Sequence, residues 1–342
     1  MNYKYLTVWF TILIMILCSC GQSGTSIPVK KASLKARYLS ESDSVYVSSA
    51  ADMKVIDGRL FLTEFQRGRL LIFDEQFNLD TIIGRYGKGP DEFYNAASIG
   101  VINQGFYVHD VFHGQLRVYN NSLEAQGNIK LHYPDQASNF ALKDSVLSYA
   151  ATDGQGYPIV TINLKGGEIN RYGEFLEEGK DVFQKVNRSR GYVFSEGDNY
   201  LFIHSTEPLV KIYDRDFNIL FQQSFADLEL LNHSLRRAEL TYENEKNTTL
   251  LLFEDIFRFE DRFYLATYVD SRTDDIKTNY GFKRKLNSII EMEFDPQKLS
   301  VELKGIIDLS DGGGWYKQII VESDRILAFD AINDELHEFE LD

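Results

Sequence analysis

A unit of about seventeen residues recurs along the chain, and this repeat constrains the fold more than any other feature. Each copy is an apolar strand, a short polar turn and a second strand that ends in an aromatic residue and an acid or amide. Four copies align without gaps, at residues 58–74, 104–120, 198–214 and 324–340. Residues 144–163 repeat the unit with a longer turn, and residues 261–295 repeat it with a long insertion. The chain therefore contains six copies.

Between copies the sequence offers one outer strand and one inner strand, which makes four strands per period. Six such periods predict an all-β fold, a six-bladed β-propeller. A long β-sandwich also alternates strands, but it would not repeat a gapless unit in four places. The sixth copy runs out after its third strand, so we expect residues 33–49 to supply the fourth. Closure by this N-terminal strand would remove an exposed sheet edge.

The first residues are typical of an exported lipoprotein. Lys4 precedes an apolar run at residues 6–17 that is too short to span a bilayer, which predicts a signal peptide over residues 1–19. Leu17, Cys18 and Ser19 before Cys20 resemble the bacterial lipobox, so Cys20 is the expected lipid anchor. The alternative is an ordinary secretory signal with an incidental cysteine. Residues 20–32 are small and polar and predict a tether, followed by the propeller over residues 33–342.

Charge and cysteine content limit the partners. The chain has 36 basic and 51 acidic residues, a net charge of −15. Such a surface repels nucleic acid and anionic headgroups, so we expect no nucleic acid partner and membrane contact only through the lipid anchor. Both cysteines lie in the N-terminal segment, so no disulfide can stabilise the body, which we expect to be a monomer. No acidic run follows Cys20, and Gly21 is not the aspartate associated with inner-membrane retention, which favours the periplasmic face of the outer membrane.

The glycine-rich stretch at residues 82–93, IIGRYGKGPDEF, resembles a phosphate loop only superficially. Phosphate loops open a helix, whereas Pro90 and a β-like run follow these glycines. The stretch lies between the outer strand of the first blade and the inner strand of the second. Residues 171–173 repeat its Arg-Tyr-Gly at the same junction after the third blade. We therefore interpret it as a blade connector.

Together, the lipobox, the tether and the run IGRYGKGPDEF…GVINQGFYVHD…LRVYN resemble the six-bladed propeller lipoproteins of Bacteroidota. These are relatives of NHL-repeat propellers, and their connectors carry a similar G-x-G-x-G-P-x-E-F. The resemblance covers residues 33–342 and is strongest over 55–120. It implies the fold and an envelope location. It implies little chemistry, because most members have no assigned activity.

One column of polar residues occupies equivalent positions at the ends of second strands. Its members are Glu64, Asp110, His204 and Asp330. If these side chains converge at the channel mouth, they could hold a cation or a sugar. If they only terminate their strands, they meet water and have no ligand.

Metal and nucleophile signatures are absent from the sequence. His109 and His113 would lie about 13 Å apart on an extended strand, too far for one ion. No H-E-x-x-H, calcium loop or G-x-S-x-G is present. We expect no metal and no cofactor.

Two insertions leave the predicted fold on the same face as the connector 85–94, at residues 225–249 and 268–287. Long loops on a rigid scaffold often bind ligands, although a solvated excursion is the alternative. On this rim, basic side chains would supply donors to an acidic sugar, a carboxylate or an acidic partner. They are Arg85, Lys88, Lys283 and Arg284, and we also expect Glu92 of the same connector to take part in binding at the channel mouth.

Two functions remain. The first is a non-catalytic envelope module that binds a glycan, a peptide or an envelope protein at the channel mouth. The second is a propeller lyase or hydrolase whose acid and base come from Glu64, Asp110, Glu92 or His204. A deep pocket with buried carboxylates of shifted pKa would favour catalysis, and a flat open mouth would favour binding.

Overall fold

The chain folds into antiparallel four-stranded sheets, as the repeat predicts. In the computed structural model, the described residues are 27–39, 46–89, 91–102, 105–132, 139–151, 156–177, 179–244, 251–269 and 285–341. The first four sheets comprise, in chain order, β2 (Ala50–Ile56), β3 (Arg59–Glu64), β4 (Arg69–Phe73), β5 (Leu79–Ile83); β6 (Ala96–Ile102), β7 (Gly105–Asp110), β8 (Gln115–Asn120), β9 (Ala125–Lys130); β10 (Phe140–Lys143), β11 (Val146–Ala150), β12 (Ile159–Asn163), β13 (Ile169–Tyr172); and β14 (Gly191–Glu196), β15 (Asn199–His204), β16 (Leu209–Tyr213), β17 (Ile219–Ser224).

An eight-stranded sheet holds two further four-strand units. The first comprises β18 (Phe253–Phe259), β19 (Arg262–Val269), β20 (Lys285–Asp295) and β21 (Ser300–Asp308). The second comprises β22 (Tyr316–Val321), β23 (Arg325–Asp330), β24 (Glu335–Leu341) and β1 (Val29–Tyr38). β1 runs antiparallel to β24, from Ala32 opposite Leu341 to Tyr38 opposite Leu336. A three-residue parallel pairing joins β1 to β21 and merges the two units.

The position of β1 differs from the expected boundary of the propeller. The strand begins at Val29, inside the stretch that its polar composition assigned to the tether. Lys30 and Lys31 belong to β1 because they pair with β21, and Lys30 Nζ also lies 3.1 Å from the buried carboxylate of Glu291. Lysine is compatible with strand structure here, since its apolar stem can pack along the sheet while the side chain of Lys30 stays 43% exposed.

Hydrophobic clusters fill the spaces between neighbouring sheets. The second and third strands of each unit are buried on both faces, and they carry continuous apolar runs such as Leu60–Leu62. One cluster packs Phe61 against Phe106, with ring centroids 5.0 Å apart, between the first two sheets. Another packs Phe329 of β23 with Leu62 of β3, so the last unit contacts the first. The predicted all-β propeller is confirmed.

Helices occur only in connectors within the described part of the chain. They are α1 (Val182–Arg188), α2 (Asn232–Asn244) and two short 3-10 helices (Glu229–Leu231 and Ser310–Gly312). α2 follows the apolar spacing of the 225–249 connector, and Tyr242 O of this helix accepts a hydrogen bond from Gln184 Nε2 of α1, 2.9 Å away. In the described ranges, no helix has the length and apolarity needed to cross a bilayer.

Connectors between blades and the turns from second to third strands emerge on one face, which we call the connector face. This follows from the strand order, because every first strand begins, and every second strand ends, at that face. The other turns lie on the opposite face. The connector face therefore carries the 84–94 connector, α1, α2 and the ends of the second strands.

Candidate functional site

The glycine-rich connector is built around the ring of Phe93. Phe93 is fully buried, and a β-carbon on Gly84 would lie only 2.3 Å from its Cδ2. Gly84 also has φ +80°, a backbone conformation that glycine adopts without strain. Backbone bonds from Phe93 N to Arg85 O (3.0 Å) and from Gly87 N to Phe93 O (3.1 Å) close the loop. The glycines therefore permit insertion of Phe93, which explains why the motif ends in Glu-Phe.

Glu92 fixes the tip of the same loop. Its Oε2 accepts a hydrogen bond from Gly89 N at 2.8 Å, and its Oε1 accepts one from Arg85 Nε at 2.8 Å. These donors, the Gly89 N–H first and then Arg85, lower the pKa of Glu92. Arg85 is otherwise exposed, so this ion pair on the rim contributes little to the free energy of unfolding. Two of the predicted binding residues thus shape the connector.

Asp110 supports the connector from below. This fully buried carboxylate lies 3.0 Å from an Arg117 nitrogen and 2.7 Å from His113 Nδ1. Arg117 in turn donates to the carbonyl oxygen of Glu92, and its guanidinium carbon lies 4.7 Å from the centre of the Phe93 ring. An unpaired buried arginine would be strongly unfavourable, so Asp110 provides the counter-charge that this contact needs.

Three aromatic rings lie on top of this connector. Tyr86 and Tyr94 have ring centroids 4.8 Å apart, and Tyr94 stacks on Phe112 at 4.1 Å. Lys88 Nζ lies 5.6 Å from the Tyr94 centroid and 5.1 Å from the Phe112 centroid. Tyr86 and Phe112 are each about half exposed, at 52% and 53%. We call Tyr86, Lys88, Tyr94 and Phe112 the connector platform.

The other column residues are buried in local networks. Glu64 accepts a hydrogen bond from Ser48 N at 2.8 Å and pairs with Arg69. Asp330 Oδ1 accepts from Trp315 N (2.9 Å) and Ile332 N (3.0 Å). These carboxylates therefore hold the turns of the connector face.

His204 is buried beside Phe202, with ring centroids 4.8 Å apart. Burial first, and then the charge of Lys211, lower its pKa to about 3, so the ring is neutral at physiological pH. Two cavities lie along the propeller axis, and none of the column residues is among the described residues that line them. The column residues are Glu64, Asp110, His204 and Asp330. Three further predicted site residues, Cys20, Lys283 and Arg284, lie outside the described residues.

A polar cavity of about 220 Å³ lies on the propeller axis where the inner strands begin. We call it the central cavity. All six four-strand units contribute to its wall, through Ala51, Asp52, Lys54, Ala97, Ser98, Ile99, Asn139, Tyr192, Glu254, Asp255, Ile256, Lys317 and Gln318. A wider cavity of about 550 Å³, lined by more apolar residues, continues toward the opposite face. The central cavity is therefore the polar end of an axial channel.

Four polar residues of the wall occupy the same position in their strands. Asp52, Ser98, Asp255 and Gln318 are each the third residue of an inner strand. In each strand the pairing register shifts at this point, which indicates a β-bulge. Bulges redirect side chains and occur often beside binding sites. An alignment of the inner strands would have shown this position. The column at the ends of the second strands did not, because its residues do not line the cavity.

The charges of the central cavity are unevenly paired. Asp52 Oδ1 lies 3.3 Å from Lys54 Nζ, and Asp52 Oδ2 accepts a hydrogen bond from Ile99 N at 2.7 Å. Asp255 Oδ2 accepts one from Ile319 N at 3.3 Å. Burial, together with the neighbouring charge of Asp52, raises the pKa of Asp255 to about 6, against the opposing effect of Lys54. No set of three or more His, Cys, Asp or Glu side chains in the described part of the chain could hold a metal ion.

Comparisons with known proteins agree with this architecture. Residues 38–154 match the family model DUF5128, described as a 6-bladed beta-propeller. An exported protein from Bacteroides fragilis NCTC 9343 is 12% identical, with a TM-score of 0.55 over 92% of this chain and 99% of that one. A member of the duf4221 family from Bacteroides vulgatus is also 12% identical, with a TM-score of 0.57 over 91% and 97%.

A third similar structure is a catalytically inactive virginiamycin B lyase from Staphylococcus aureus with quinupristin. It is 9% identical, with a TM-score of 0.51 over 90% of this chain and 100% of that one. At such identities the likeness concerns the fold alone. No curated protein matches the sequence. The resemblance to six-bladed propellers of Bacteroidota is thus confirmed, and the activity has to be argued from this chain's own residues.

Proposed function

We propose that this protein is a lipid-anchored envelope propeller that binds an acidic glycan on its connector platform. The unit that binds is a six-bladed propeller closed by β1, exported through the signal peptide and anchored at Cys20 on the periplasmic face of the outer membrane. The pairing of β1 with β24 and the family description support the closed six-bladed form. The observation that carries the binding function is the exposed stack of Tyr86, Tyr94 and Phe112.

An exposed ring stack fits a glycan better than it fits a catalytic centre. Aromatic faces pack against the C–H faces of sugar rings, and three adjacent rings offer more than one sugar subsite. The stack lies on a connector that is fixed by Phe93, Glu92 and Arg117, so little conformational freedom is lost on binding. Binding through such a preorganised surface needs no acid or base.

Lys88 adds the preference for negative charge. Its ammonium group lies beside the Tyr94 and Phe112 rings and remains exposed, so a sugar carboxylate stacked there could form an ion pair. The protein is net acidic, at −15, so this local cation would select the ligand against a general repulsion.

The four residues predicted from the sequence to act as acid and base give the enzymatic alternative little support. Its candidate carboxylates Glu64 and Asp110 are buried in pairs with Arg69 and Arg117, where they stabilise turns. His204 is neutral and buried, away from the central cavity. Glu92 is bound by Gly89 and Arg85 within its own loop.

Binding to a glycan array that includes uronic-acid polysaccharides tests the proposal. Phe112→Ala should weaken capture about tenfold, since a stacked ring contributes about 0.5–1.5 kcal/mol beyond its buried area. The matched control is Phe183→Ala on α1, because Phe183 is 50% exposed and outside the platform. Lys88→Gln should weaken the binding of acidic glycans and leave the binding of neutral glycans unchanged. Equal binding by Phe112→Ala and the parent would place the ligand elsewhere.

A further inference from the structure

The central cavity contains polar atoms that the described residues leave without a partner. Ser98 is only 8% exposed, lines the cavity, and its Oγ has no hydrogen-bond partner. The Oε1 of Gln318 is also buried without a partner, while its Nε2 donates to Ala51 O at 3.1 Å. Unpaired buried polar groups are costly, so a site that leaves two of them on one cavity wall is suited to a polar ligand.

The charged side chains on the cavity wall indicate which charge that ligand should have. Asp52, Glu254 and Asp255 face the cavity with only two cations, Lys54 and Lys317. Lys54 is held by Asp52, and Lys317 Nζ lies 4.8 Å from the centre of the Trp315 ring. Among the described residues, no ion pair within 4 Å reaches Asp255. Lys54 acts on this carboxylate only from beyond ion-pair distance, so Asp255 has room for a direct cationic partner.

We propose that the central cavity binds the primary ammonium group of a small organic cation, which pairs with Asp255 and donates to Gln318 Oε1. An ammonium group has three donors and no acceptor, which matches a carboxylate and an amide oxygen on the same wall. A hydroxyl on the same ligand would pair with Ser98. The site is independent of the connector platform, since the two share no residue.

The pH dependence of binding follows from the ionisation of Asp255. Its carboxyl group, with its pKa raised to about 6, is mostly protonated at pH 5 and mostly ionised at pH 7. The charged and titratable groups that line the cavity with it are Asp52 and Lys54 from β2, Glu254 beside it, Lys317 from β22 and Tyr192 from β14; no described lining residue is a histidine. A primary ammonium stays charged over this range. Affinity should therefore rise about tenfold from pH 5 to pH 7, in proportion to the ionised fraction.

Saturation-transfer NMR on the full chain tests this site with two isosteric probes, ethanolamine and ethylene glycol. We expect ethanolamine to bind at pH 7 at least tenfold more tightly than ethylene glycol. The affinity for ethanolamine should be about tenfold lower at pH 5 than at pH 7. Asp255→Asn, which keeps the shape and an acceptor for Ile319 N, should abolish the preference for ethanolamine. Asp198→Asn is the control, since the Asp198 side chain is 89% exposed in the turn between β14 and β15 and does not line the central cavity.

A second variant protects the test against a folding defect. Gln318→Leu removes the unpaired amide oxygen and leaves every charge in place. It should therefore lower the affinity for ethanolamine several-fold without altering the pH dependence of that affinity. Equal binding of the two probes, or unchanged ethanolamine binding by both Asp255→Asn and Gln318→Leu, would overturn the proposal. Loss of glycan capture in the platform variants would leave this result unaffected.

Discussion

Replacing Phe93 with alanine should strongly destabilise the connector. The ring is fully buried and lies between Gly84 and the guanidinium group of Arg117. Truncation of a buried phenylalanine leaves a cavity and lost contacts that cost about 3–5 kcal/mol. Gly84 cannot fill the space, because it has no side chain. Collapse of the loop would also release the Arg117 contact with Glu92.

The size of the effect can be measured as a melting temperature. One kcal/mol shifts the midpoint of a large domain by about 2 °C, so Phe93→Ala should lower it by roughly 6–10 °C. Differential scanning calorimetry of the full chain gives this shift. Urea titration followed by far-UV circular dichroism gives the corresponding change in the free energy of unfolding.

Phe112→Ala is the matched control for this experiment. Phe112 belongs to the same connector platform but is 53% exposed, so its removal should cost less than about 1 kcal/mol. Limited proteolysis adds a local readout, since cleavage of Phe93→Ala should begin within residues 84–93. If Phe93→Ala melts within about 2 °C of the parent, or no lower than Phe112→Ala, the ring does not hold the connector.

Three other perturbations have defined outcomes. Cys20→Ala should release the protein from membranes or leave an unprocessed precursor in cell fractionation, and normal membrane retention would exclude lipid anchoring there. Deleting residues 29–38 should cause light scattering and loss of cooperative unfolding, because the edge of β24 and part of its core become exposed; a melting temperature equal to the parent's would show that β1 is dispensable. Burial lowers the pKa of His109 to about 4, whereas the unfolded ring has its ordinary pKa near 6.5, so the unfolded state binds more protons as pH falls through that window. Between pH 7.5 and 5, the free energy of unfolding of the parent should therefore fall by about 2 kcal/mol because of this group, and that of His109→Leu should fall by about 2 kcal/mol less in urea titrations. The raised pKa of Asp255 acts in the opposite direction, but Asp255 is present in both proteins, so its effect cancels in the comparison.

The repeat made the fold predictable, because one sheet unit must recur wherever its pattern of strands and turns recurs. The connector motif was placed correctly as a loop between blades. Its internal contacts were not predictable, since the fit of Phe93 against Gly84 depends on backbone angles that the sequence alone does not show. The start of β1 was missed because Lys30 and Lys31 are polar in composition but paired in the sheet.

The site was harder to predict than the fold. The second-strand column was conspicuous because Glu64 and Asp110 recur in register, yet their arginine partners come from the following turn or strand and bury them. The residues of the central cavity follow β-bulges in the first strands. A bulge shifts side chains by one place, so the alternation within a single strand could not reveal that Asp52 faces the axis. Only an alignment of the inner strands with one another would have shown its polar equivalents.

The pairing of β1 with β24 has a consequence for how the protein is made. The Tyr38 hydroxyl donates to Glu338 at 2.8 Å across 300 residues of sequence, so the first strand to emerge from the ribosome or the export channel is among the last to find its partner. Until then β1 is an unpaired edge, and every later blade forms on an open ring. Contacts of such long range slow folding and leave partly folded chains prone to association. Once β1 and β24 are paired, the hydrogen bonds between them tie two segments from opposite parts of the sequence together, so fraying of either strand requires separation from the other.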